Sequence, residues 1–176
     1  MDDRVTELIL GRCTVRPWRA GDEPSLTRHA NNRRVSLNMR DRFPYPYSHA
    51  DAEEWIRTAS AATPVTNFAI VVAGSAVGGI GFELGADVFR RSAEIGYWLG
   101  EEFWGRGIAT EAVRAMTEYA FARFDVCRIH AMVFEWNPVS MRVLEKAGYT
   151  CEGRRRLSVT KDGRTIDSLL YAVVRP

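Results

Sequence analysis

The period of apolar positions changes several times along the chain, and each change marks an element. Segments 5–10 and 13–18 are short apolar runs separated by Gly11-Arg12, which predicts a β-hairpin. Asp22 is placed to cap a helix running to about Ala30, with Glu23 and Pro24 suited to its first turn. A second short helix is expected over 35–39. The run Arg42-Phe43-Pro44-Tyr45-Pro46-Tyr47 is excluded from regular helix, because each proline restricts its own φ and the residue before it. Ser48 then opens a helix through Asp51, Trp55 and Ile56 to about Ala62.

Three strands follow, over 67–73, 77–84 and 93–99, with glycine-containing turns between them. After Gly100-Glu101-Glu102-Phe103-Trp104-Gly105-Arg106-Gly107 a long helix reaches Phe124. Its apolar positions Ile108, Ala109, Ala112, Val113, Met116, Ala120 and Phe121 recur at helical spacing and form one buried stripe. A strand over 127–134 comes next, then a helix over 139–147 that opens at Pro138 and closes at Gly148. Two closing strands, near 149–159 and 165–174, are joined by the hairpin turn Lys161-Asp162-Gly163. This order of elements is an α+β fold with a mixed sheet.

Composition narrows the class. A chain of 176 residues is one ordinary domain, residues 1–176, by the usual length of domains. With 46% hydrophobic and 26% charged residues it is globular and not disordered. A formal net charge of +2 gives no strong field toward nucleic acid or an anionic membrane. No apolar run approaches the roughly 20 residues of a membrane span, and the first ten residues lack a signal peptide's layout. Cys13, Cys127 and Cys151 are odd in number and far apart, so they suit neither a disulfide framework nor a metal site. A cytoplasmic protein without metal is therefore expected.

The most informative stretch is the junction of the 93–99 strand with the long helix. A helix N-terminus leaves backbone N–H groups without intrahelical partners and carries partial positive charge. Two glycines there let the backbone close around an anion. Gly105, Arg106, Gly107, Ile108, Ala109 and Thr110 thus form a candidate diphosphate cradle, with Arg106 and the Thr110 hydroxyl as extra donors. The alternative is that the glycines only end a strand and begin a helix. A Walker loop is excluded because Lys and Ser/Thr are missing after Gly105, and GxGxxG does not occur at this junction.

The run AEIGYWLGEEFWGRGIATEAVRAMTEYAF, followed by CRIHAMVFEWNPVSMRVLEKAGYTCEG and a closing KDGRTIDSLLYAV, resembles the GNAT acyl-CoA N-acyltransferases. Within them it is most similar to the ribosomal-protein N-terminal acetyltransferase branch of RimJ/RimL type. The resemblance covers nearly the whole chain, including FPYPYSHADAEEW. It implies a mixed, mostly antiparallel sheet flanked by helices, with a splayed central strand pair. It also implies acetyl-CoA as donor substrate, an amine acceptor, and room for a homodimer.

The resemblance assigns the pantetheine arm of acetyl-CoA to the backbone of Tyr97, Trp98 and Leu99 and the diphosphate to the 105–110 turn. Trp104 stands where family members often have Gln or Arg. Asn137 matches the family asparagine whose amide bonds the pantetheine; as a residue it equally suits a helix N-cap. Ser140 points at the thioester sulfur or bonds the helix backbone. Arg142 and Lys146 are candidates for the 3′-phosphate. Phe43, Tyr45 and Tyr47 lie on the loop that covers the acceptor side in this family, either shaping an amine pocket or plugging the core beneath the loop.

Amine acylation by a thioester needs a neutral amine, a polarised carbonyl and a proton for the leaving thiolate. With pKa values of about 10.4 for lysine and about 7.7–8.0 for an α-amine, the lysine costs about 3.5 kcal/mol more to deprotonate. Some family members carry Glu and Tyr as base and acid where this chain has Met132 and Leu144. Remaining candidates for the base are Glu94, acting through water, and Glu83 on the neighbouring strand, with Ser140 as proton donor to sulfur. A structural hydrogen bond or ion pair is the other role for either carboxylate. His130, alternating along an apolar strand, is expected to be a satisfied sheet residue. The functions consistent with these residues are acetylation of a protein N-terminal α-amine, acetylation of a small amine or polyamine, and non-catalytic CoA binding.

Overall fold

The computed structural model describes residues 7–175, so the start of the first predicted strand, at Val5 and Thr6, lies outside the described residues. In chain order the elements are β1 (Leu8–Ile9), β2 (Thr14–Pro17), α1 (Glu23–Ala30), α2 (Arg33–Ser36), α3 (His49–Ala61), β3 (Asn67–Val72), β4 (Ser75–Leu84), β5 (Ser92–Leu99), α4 (Ile108–Arg123), β6 (Arg128–Phe134), α5 (Pro138–Lys146), β7 (Thr150–Lys161) and β8 (Arg164–Val174). Two 3₁₀ turns, Asp87–Phe89 and Glu101–Phe103, fill connections where the apolar pattern predicts only loops. Hydrogen-bonded strands follow the order β1-β2-β3-β4-β5-β6-β8-β7. The β5–β6 pair is parallel, whereas β1–β2, β2–β3, β3–β4, β6–β8 and β7–β8 are antiparallel. The expected α+β architecture with a mixed, mostly antiparallel sheet is therefore present.

The chain divides into two compact units, Met1–Gly81 with Tyr97–Ala112 and Phe82–Gly96 with Val113–Pro176; β4, β5 and α4 each run through both. The core of the first is built by Trp18, Leu26, Tyr47, Ile56 and Val71, with Phe43 and Trp98 packed against it. Ser48 and Asp51 form a reciprocal cap at the start of α3: the Asp51 N–H donates to Ser48 Oγ at 3.2 Å and the Ser48 N–H to Asp51 Oδ2 at 2.8 Å. The Ser48 hydroxyl, donating to Asp51 Oδ2 at 2.6 Å, and the Ser48 N–H hold the Asp51 carboxyl below the usual range. α2 begins two residues before its predicted start because Asn32 caps it, accepting the Arg34 N–H at 2.8 Å.

Asp22 sits at the predicted N-cap of α1 but makes no side-chain cap bond, a correction to its expected role. Its carboxylate instead receives both terminal nitrogens of Arg16 at 2.7 Å, and both side chains are buried. A bidentate, buried ion pair is stronger than a cap bond, so the side chain goes to the guanidinium. At Gly78 the close approach of β5 dictates the residue: a Cβ there would lie 2.5 Å from the Trp98 carbonyl oxygen.

In the second unit Phe82, Tyr119 and Phe124 pack at ring distances of 5.2–6.4 Å. The predicted stripe of α4 is largely buried, with Ile108 in the first unit and Val113, Met116 and Ala120 in the second, while Ala109 and Phe121 are half-buried. The β7–β8 turn has left-handed Asp162 (φ 50°) and Gly163 (φ 72°), the backbone that a tight two-residue hairpin requires. Parallel pairing of β5 with β6 matches Ser92, Ala93 and Glu94 to Arg128, Ile129 and His130 and stops there. From Ala131 onward β6 is paired only with β8. This is the splayed pair that the family resemblance implies.

Removing the Asp22 carboxylate strands a buried guanidinium. Asp22→Ala is expected to lower unfolding stability by about 3–5 kcal/mol, read from the urea midpoint, far more than loss of an exposed cap.

Candidate functional site

In the first unit the chain leaves β5, makes the Glu101–Phe103 turn and enters α4 through two left-handed glycines, Gly105 (φ 75°) and Gly107 (φ 77°). No other residue type adopts both angles without strain. The first ladder bond of α4 runs from the Glu111 N–H to the Gly107 carbonyl at 3.1 Å. Helix geometry therefore turns the N–H groups of Ile108, Ala109 and Thr110 outward at an exposed mouth, where an anion finds donors and the positive end of the dipole. Arg106 is exposed beside this mouth, its guanidinium 5.3 Å from the Phe103 ring centroid.

The approach to the mouth is pinned by side chains that sequence reasoning left unassigned. The Trp104 indole N–H donates to the Leu99 carbonyl at 2.7 Å, so this residue closes the turn on the end of β5. The Arg34 guanidinium stacks 5.3 Å from the Trp104 ring and pairs with Glu101, which also accepts from Asn32 Nδ2 at 2.8 Å. Glu102 pairs with Arg28 at 3.2 Å. Glu101 and Glu102 are thus committed to arginines. Glu111 accepts the Gly11 and Arg12 N–H groups at 3.1 and 2.8 Å, which ties the β1–β2 turn to the first turn of α4. Arg12 lies beside Gly107: a Cβ on that glycine would be 3.4 Å from Arg12 Nε.

In the second unit Glu94 and His130 are matched on the last rung before β5 and β6 part. Both are half-buried, on strands whose alternate residues Ala93, Ile95, Ile129 and Ala131 are buried. Burial holds the His130 imidazole below the usual histidine range; the nearby carboxylates of Glu94 and Glu152 oppose that, and Arg128 adds to it. Nδ1 of His130 is buried with no hydrogen-bond partner among the described residues, while a hydrogen bond with the Ala93 backbone favours the charged ring. His130 is thus only partly the satisfied sheet residue that the alternation suggests. Glu83 is exposed on β4.

Asn137 is the N-cap of α5 and accepts the Ser140 N–H at 3.2 Å, which leaves its amide NH₂ for another partner. Ser140 is half-buried and Arg142 and Lys146 are exposed on the same helix. Met132 is half-buried on β6, and Leu144 is fully buried, so no group that exchanges protons occupies either position. On the 42–47 loop, Phe43 packs edge-on against Trp98 at 5.4 Å. Tyr47 is buried, its hydroxyl pushed up to about 12 by desolvation. Tyr45 is 48% exposed, with the Arg33 guanidinium 5.6 Å from its ring. A shallow cavity of about 330 Å³ beside Arg16 and Trp18 contains none of the predicted site residues.

A family model described as an acetyltransferase (GNAT) domain matches residues 12–150. The Bacillus subtilis protein named uncharacterized N-acetyltransferase YoaA is 38% identical over 100 residues, 57% of this chain and 56% of that protein. The Bacillus licheniformis protein named uncharacterized N-acetyltransferase p20 is 29% identical over 171 residues, 96% of each chain. For the first of these relatives the match spans little more than half of its length. Among solved structures, Mycobacterium smegmatis RimJ in complex with CoA-disulfide superposes with a TM-score of 0.82 at 26% identity, covering 97% of this chain and 86% of that one.

The fork rung carries a testable electrostatic consequence. Ring-proton NMR is expected to show His130 titrating below about 6.5, because burial disfavours its charged form. Glu94→Gln removes an anion that favours the imidazolium, so the midpoint falls further.

Proposed function

The chain belongs to the GNAT acetyltransferase domain family, and we propose that it moves the acetyl group of acetyl-CoA to a primary amine, the N-terminal α-amine of a protein or peptide. The observation that carries this reading is the exposed mouth of α4 behind two left-handed glycines. That mouth fits a diphosphate: it offers outward N–H groups, a dipole end and no Cβ at either glycine. The donor supplies a thioester whose carbonyl carbon accepts the amine.

The residues divide the work as follows. Backbone groups of Gly105, Arg106, Gly107, Ile108, Ala109 and Thr110 hold the diphosphate. The β5 residues Tyr97, Trp98 and Leu99 run beside the pantetheine, with Leu99 also accepting from Trp104. The free amide NH₂ of Asn137 bonds the pantetheine, Arg142 meets the 3′-phosphate, and Ser140 gives a proton to the leaving sulfur. Glu94 takes the amine proton through water, with Glu83 as the weaker candidate because of its exposure.

An α-amine suits this set. Met132 and Leu144 provide no direct acid–base pair, so an acceptor that is already partly neutral at pH 7 needs the least help. The pairing of Glu101 and Glu102 with arginines weakens the polyamine reading. Similarity to RimJ, a protein solved with a CoA disulfide, supports CoA as the donor's carrier.

Release of CoA thiol in the presence of acetyl-CoA and an α-amine peptide, with mass spectrometry locating the acetyl group, tests the reading. Acetylation at the N-terminus is expected; binding of acetyl-CoA without turnover of any amine leaves only a CoA-binding module. Gly107→Pro removes one N–H and forbids the left-handed angle, so affinity for acetyl-CoA is expected to fall by about tenfold or more in calorimetry. Tyr45→Ala is expected to raise the acceptor KM while leaving that for acetyl-CoA nearly unchanged.

A further inference from the structure

The β7–β8 hairpin carries three consecutive arginines, Arg154, Arg155 and Arg156. Nearby carboxylates do not go round. Arg154 takes two of them, Glu135 at 2.6 Å and Asp167. Glu152 is paired with Arg128. Arg155 is left with the thioether of Met132, its Nη1 lying 3.0 Å from Sδ, and forms no ion pair with any described residue. Sulfur is a weak acceptor, whereas a guanidinium is shaped for a carboxylate.

The place of this contact gives it meaning. β6 alternates, with Arg128, His130 and Met132 on its half-buried face and Ile129, Ala131 and Val133 buried on the other. Met132 is thus the next residue on the His130 face, about 7 Å along the strand beyond the last rung that β6 shares with β5. Arg155 reaches it from β7, across β8, a span of two strand spacings or about 9–10 Å. Gly153 brings no side chain into the path, in register with Leu170 of β8, which is itself in register with Met132. A cation without a carboxylate partner therefore stands at Met132, two residues beyond the rung that Glu94 and His130 share.

We propose that Arg155 selects anionic acceptors: α-amine substrates bearing a carboxylate within the first two residues, which replaces Met132 Sδ as the partner of the guanidinium. This rests on the α-amine acetyltransferase reading above and names its substrate class. A like-charged polyamine or a lysine-rich N-terminus is disfavoured at the same point, since its second cation meets Arg155.

Three peptides that differ only at the second residue, Glu, Gln or Lys, test it with the intact chain and acetyl-CoA. Expected kcat/KM falls in that order, with about tenfold or more between Glu and Lys, narrowing as salt is raised. Arg155→Gln should flatten the series and Arg155→Glu should invert it, with the acetyl-CoA KM unmoved and the melting temperature near wild type because the residue is exposed. Arg155→Lys should retain part of the preference. Equal turnover of the three peptides by the wild-type chain, or a preference that survives Arg155→Gln, overturns the inference while leaving α-amine acetylation standing. Absence of turnover with every peptide overturns both.

Discussion

A parallel pair of strands that stops pairing part-way is the constraint on which the chemistry depends. β5 and β6 share only the rungs from Ser92 and Arg128 to Glu94 and His130, after which β6 has a strand partner only in β8. Glu94 and His130 share the last of those rungs. That pairing is why the Glu94 carboxylate bears on the titration of His130.

The glycine mouth of α4 is a second constraint, and its rigidity is built from several weak contacts rather than one strong one. Trp104 closes the turn on Leu99, Arg34 and Asn32 hold Glu101, and Glu111 grips the backbone of Gly11 and Arg12. Apart from buried Leu99 these groups are exposed or half-buried, so each contributes little to stability alone. Their common effect is positional: the turn that leads into α4 is held in one orientation, which lowers the ordering cost of any ligand it takes.

Much of this was legible before any coordinates. Ser48 with Asp51, Asn137 with Pro138, and Asp162-Gly163 announce their caps and turn because the chemistry is local, within three residues. Gly105 and Gly107 are equally legible as the turn into α4, since their left-handed angles are a local need. Asp22 shows the limit. The pattern places it before α1, but its side chain answers to Arg16 on β2, a partner the helix pattern does not reveal. His130 shows it again, because whether Nδ1 finds a partner depends on the neighbouring strand.

What the chain alone determined is what spacing along it encodes: the order of elements, their caps, the glycine mouth, and the lack of an acid–base pair at Met132 and Leu144. What only the tertiary structure decided is how charges are shared among residues far apart in sequence. Arg154 taking Glu135 and Asp167, and Arg155 being left on Met132, follow from the β7–β8 register and its shift between Arg155 and Val159. A one-residue change of register sends a strand's side chains to the opposite face, and no local pattern in an arginine run specifies which register is adopted.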